Sequence, residues 1–73
     1  MPLRPLPFRE VKRRLMALGF AQTTQRGSHA KFVKYEVGRT LTAMVPAHRD
    51  VPPGTLMSIV RQAGLTWDEF EKL

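Results

Sequence analysis

The segment Gln25-Arg26-Gly27-Ser28-His29-Ala30-Lys31 is the part of this 73-residue chain where residue types and spacing suit a reaction. Arg26-Gly27 signals a tight turn, and His29 opens the strand that follows. Lys31 stands two residues on, so its ammonium and the imidazole project from one face at the edge of a sheet. Cations beside an imidazole disfavour its charged form, which keeps His29 neutral and able to accept a proton around pH 7, while Arg26 and Lys31 hold a phosphate. Metal-free cleavage of RNA requires both services. A base removes the proton of a ribose 2′-OH, the oxygen attacks the adjacent phosphorus, and positive groups stabilise the charge on the phosphoryl oxygens. DNA lacks the attacking oxygen and would be spared. On composition and spacing alone, a single His at the start of a strand is more often a solvated turn residue, and that reading stands beside the catalytic one. Ser28 and His29 are chain neighbours whose side chains point to opposite faces of an extended segment, so they cannot form a nucleophile–base pair. Ser28 instead shapes the turn or bonds a phosphate.

Other chemistries find no residues to carry them. The chain has no cysteine, which excludes thiol nucleophiles, disulfides and thiolate zinc sites. Outside the last twelve residues the acids are Glu10, Glu36 and Asp50, with no spacing suited to a pair of metal ions. Neither a phosphate-binding loop with Lys and Ser/Thr nor GxGxxG occurs. His29 and His48 lack a third partner for a catalytic zinc, the nearest acid being Asp50 in a loop. No metal and no cofactor are therefore expected. For His48, in Pro46-Ala47-His48-Arg49, a loop histidine bonding nearby backbone is favoured over a second acid–base role. Lys12, Arg13 and Arg14 read as a solvated helix face whose functional version is contact with an RNA backbone. Trp67 and Phe70 sit on an acidic segment and are assigned to packing.

The elements that must position these residues follow from periodicity. Residues 1–7 hold three prolines and read as an extended arm, leaving 8–73 as a single domain. Phe8, Val11, Leu15 and Leu18 recur at helical steps, with Gly19 as the stop, giving a helix over about 8–18. FAQTTQ (20–25), HAKFVKYE (29–36) and TLTAMV (40–45) are strand-like and joined by short turns, which makes an antiparallel meander. In the third strand Leu41, Ala43 and Val45 share one face, and Thr40, Thr42 and Met44 the other. Leu56, Ile59, Val60 and Ala63 form the stripe of a second helix ending at Gly64. Thr66 and Glu69 fit a capping box that opens a short terminal helix, with Trp67, Phe70 and Leu73 facing the body. The fold class is α+β, α-β-β-β-α with a three-stranded antiparallel sheet, both helices on one face, and a short extra C-terminal helix.

Twelve Lys and Arg against six Asp and Glu give a net charge of +6. The distribution is uneven. Residues 1–61 hold eleven basic groups against three acids, net +8, whereas 62–73 hold Lys72 against Asp68, Glu69 and Glu71, net −2. Such a body attracts polyanions, either nucleic acid or an acidic protein partner. No long apolar run points to a membrane, and MPLRPLPF lacks the apolar region of a secretory signal, so a cytoplasmic location is expected.

Five motifs in order, Leu18-Gly19-Phe20, Arg26-Gly27-Ser28-His29, Val45-Pro46-Ala47-His48, Pro53-Gly54-Thr55-Leu56 and Ile59-Val60-Arg61-Gln62-Ala63-Gly64-Leu65, resemble the HicA (YcfA-like) toxins of toxin-antitoxin systems. The resemblance covers about residues 8–70. It implies a fold like the double-stranded RNA-binding domain and an endoribonuclease that cleaves mRNA and arrests translation. It further implies a HicB-type antitoxin that masks the active site. The essential His of the family's Gly-Ser-His motif maps onto His29, with Gly27 and Ser28 beside it, and the family's Pro-x-His element maps onto His48. The site expected from residues and resemblance together is His29 as base, Arg26, Ser28, Lys31, Lys12 and Arg13 on RNA, and His48 as a secondary candidate. The competing expectations are a non-catalytic RNA-binding module and an interaction domain for an acidic partner.

Overall fold

The computed structural model describes residues 4–47 and 49–73. Six elements follow one another: α1 (Phe8–Ala17), β1 (Ala21–Arg26), β2 (His29–Glu36), β3 (Arg39–Pro46), α2 (Pro53–Gln62) and α3 (Trp67–Glu71). The strands form one open antiparallel sheet in the order β1-β2-β3. This is the α+β architecture of the double-stranded RNA-binding domain, with α3 as the extra turn. The two long helices and α3 supply the apolar layer that covers one sheet face.

The core assembles from the periodic positions. Val11 and Leu15 of α1, Ala30 and Phe32 of β2, Ala43 and Val45 of β3, Leu56, Ile59 and Val60 of α2, and Phe70 of α3 are all buried. The Phe8 ring packs against Phe32 at 6.3 Å between centroids. Alternation along β2 therefore puts Ala30 and Phe32 under the helices and leaves His29, Lys31 and Tyr35 on the other face. The stripe on α2 and the Thr66–Glu69 capping box match the sequence reading, Glu69 N donating to Thr66 Oγ1 and Thr66 N to Glu69 Oε1. Leu6, in the N-terminal arm, exchanges both backbone hydrogen bonds with Val51.

The two ladders of the sheet differ. The β2–β3 pairing runs unbroken from His29↔Pro46 to Glu36↔Arg39. The β1–β2 pairing skips Thr23: Gln22 pairs with Phe32, and Thr24 with Lys31. This β-bulge shifts the alternation of β1 by one residue. Among the described residues no helix is long and apolar enough to cross a membrane.

Candidate active site

β2 is the central strand, so His29 lies at the end of the middle strand and not on a lateral edge. Arg26 is its partner across β1 and Pro46 its partner across β3. The turn that delivers it has two residues. Gly27 takes φ +56° and Ser28 keeps a negative φ, as a type II′ hairpin turn requires, and glycine meets the first condition without strain. The Ser28 carbonyl accepts the Ala47 amide, which extends the β2–β3 pairing past the strand end and fixes the backbone just before His29.

Arg26 comes to the same face because of the bulge. Continuing the Ala21↔Val33, Gln22↔Phe32 register without it would set Gln25 opposite His29 and Thr23 opposite Lys31. With Thr23 looped out, Thr24 faces Lys31 and Arg26 faces His29, and directly paired residues project to the same side about 5 Å apart. The Thr23 hydroxyl donates to the Lys31 carbonyl at 3.4 Å, tying the extra residue to the central strand.

The product is a shallow depression of about 420 Å³ on the uncovered sheet face, lined by Thr24, Arg26, His29, Lys31, Thr42 and Met44. The imidazole, guanidinium and ammonium thus share one solvent-exposed hollow with two hydroxyls and a thioether as its floor. No acid lines it. Two of the body's three carboxylates are engaged elsewhere: Glu10 bridges Arg13 and Arg14, and Glu36 bridges Lys34 and Arg39. Hydrogen bonds from Arg13 and then Arg14 pull the Glu10 carboxyl down from its ordinary 4.5 to about 2. Arg39 and then Lys34 likewise hold Glu36 below the usual carboxylate range. Among the described residues neither Arg26 nor Lys31 has an ion-pair partner. The positive charge facing the hollow is left unneutralised.

Other expected site residues lie apart. Ser28 is half-buried at the turn and is not in the lining. Lys12 and Arg13 belong to α1, in the layer on the opposite side of the sheet. The Arg13 guanidinium is committed to Glu10, at 2.6 and 3.0 Å, and to the Leu73 backbone oxygen at 3.0 Å. His48 lies outside the described residues. Thr24, Thr42 and Met44 were not singled out as site residues from the sequence, although the alternation of β3 already placed Thr42 and Met44 together on the uncovered face.

The family model described as the HicA toxin of bacterial toxin-antitoxin matches residues 8–65, most of the chain. The chain belongs to the HicA toxin family. It is the toxin half of a toxin-antitoxin pair, and HicA membership implies a cognate antitoxin as partner. The matched span runs from the first residue of α1 to just past α2, and so includes the whole sheet and its hollow. No curated protein matches the chain significantly.

Proposed function

We propose that this HicA toxin is a metal-independent endoribonuclease that cuts mRNA and thereby inhibits translation in the cytoplasm, with a HicB-type antitoxin covering the site. The single observation that carries the reading is the meeting of His29 with two unpaired cations, Arg26 and Lys31, in one acid-free hollow. The His29 imidazole accepts the proton of a ribose 2′-OH. The oxygen bonds to the adjacent phosphorus and the bond to the 5′-oxygen breaks, leaving a 2′,3′-cyclic phosphate and a 5′-hydroxyl whose proton comes from the imidazolium or water. Arg26 and Lys31 offset the charge on the non-bridging oxygens. Lys12, on the helix layer, and Ser28, at the turn, make at most secondary backbone contacts in this arrangement. Arg13 is available to RNA only by giving up Glu10.

Incubation of purified protein with RNA in EDTA tests the reading. The wild-type protein cleaves, and His29→Ala, an exposed position with no packing role, folds normally and cleaves at least about a hundredfold more slowly. Equal cleavage by the two proteins would remove His29 from the mechanism. Salt-sensitive RNA binding with no cleavage by either would leave a binding module.

A further inference from the structure

Beyond the hollow, the same face of β2 carries one feature the cleavage chemistry does not use. The chain has six aromatic residues, and among them Tyr35 alone is exposed, at 79%. Phe20, Phe32 and Phe70 are buried, Phe8 packs on Phe32, and Trp67 packs on Phe70 at 5.6 Å. Tyr35 stands on the central strand in the alternation His29, Lys31, Val33, Tyr35, so its ring rises from the face that holds the hollow. Six residues of extended chain set it about 20 Å from His29. Between them lie the Lys31 ammonium, the buried Val33 and the exposed Thr42, while Thr40 flanks Tyr35 across the ladder. This strip is positively charged at the hollow, and its far end is an exposed aromatic ring.

We infer that Tyr35 is a base-stacking subsite that binds single-stranded RNA a few nucleotides from the cleaved bond. The inference rests on the endoribonuclease reading and extends it to the form of the substrate. A strand laid along β2 puts one phosphate among Arg26, His29 and Lys31 and brings a later base onto the Tyr35 ring, the combination of cationic track and aromatic platform by which single strands are held. A cationic hollow leading to one exposed ring fits a phosphate backbone with a stacked base. The strip presents cations and Met44 at one end, and Thr42 and the buried Val33 along its middle.

The test uses 2′-O-methyl RNA, which has no free 2′-hydroxyl and cannot be cut, in lengths of about two and about twelve nucleotides. Tyr35→Ala weakens binding of the longer strand about tenfold and leaves the shorter unchanged, because only the longer reaches the ring. Tyr35→Phe, which keeps the plane and loses the hydroxyl, binds like wild type. The inference is overturned if Tyr35→Ala binds the longer strand as tightly as wild type, or if Tyr35→Phe loses as much as Tyr35→Ala. It is also overturned if Tyr35→Ala keeps its RNA affinity but no longer co-purifies with the co-expressed antitoxin, since the ring is then a protein anchor. Failure of the wild-type protein to bind either strand would reject the nuclease reading itself and the subsite with it, whereas normal wild-type binding with no Tyr35 effect rejects the subsite alone.

Discussion

The two faces of the sheet divide the work of the molecule. The covered face is buried and apolar where Ala30, Phe32, Ala43 and Val45 lie beneath the helices. The open face presents Arg26, His29, Lys31 and Tyr35 to solvent and is cationic, with Val33 its buried residue on the central strand. Both are written on the same strands one residue out of phase, so stability and chemistry are separable by substitution. The ladders repeat the contrast: β2–β3 is regular and holds the core in register, while β1–β2 is bulged and uses its irregularity to aim Arg26. A small domain can carry a reactive surface on a central strand because the helices on one side bear the whole packing load.

Substitutions on the two faces should therefore have opposite signatures. Phe32→Ala, at a fully buried position, removes about 3–5 kcal/mol, a large part of the stability of a domain this size, and shows as a collapse of the thermal unfolding midpoint. Lys31→Ala and Arg26→Ala each lower cleavage about tenfold and each reduce the salt dependence of RNA binding by about one phosphate contact, with no loss of stability.

The smallest effect lies on the helix layer. Glu10→Gln removes the carboxylate shared by Arg13 and Arg14 and costs about 1 kcal/mol at neutral pH. The Glu10 carboxyl is held down at about 2, so its contribution is complete above its ordinary value of 4.5 and is lost as pH falls from there toward 2. The variant should narrow its gap to wild type across that window in urea melts. A gap that stays constant down to pH 2 would show that the carboxylate contributes nothing to the fold.

The legible parts of the sequence were those with strong periodicity or local signals. The stripe Leu56, Ile59, Val60 and Ala63, the capping box at Thr66, and the span of β2 all follow from spacing that one element satisfies alone. The residues of the hollow's cationic half were legible too, since Arg26-Gly27-Ser28-His29 is a turn whose chemistry is local. The bulge was not. Ala21-Gln22-Thr23-Thr24-Gln25-Arg26 has no apolar alternation to fix its register, because one of its faces is open and the other barely covered, so the choice between Gln25 and Arg26 opposite His29 is made only on pairing. The commitment of Arg13 escaped for a different reason: its second partner, the Leu73 oxygen, is set by how α3 docks, which no spacing within α1 encodes.

The central claim is that the His29 hollow activates the substrate's own 2′-hydroxyl, and the ends of the cleaved RNA test it most directly. An RNA strand incubated with the protein in EDTA should yield 2′,3′-cyclic phosphate and 5′-hydroxyl ends, and a single 2′-deoxy substitution on the 5′ side of a cut bond should abolish that cut while sparing the others. Cleavage of the deoxy-substituted bond, or products bearing 5′-phosphates, would show that the attacking oxygen is not the ribose's and would contradict the account.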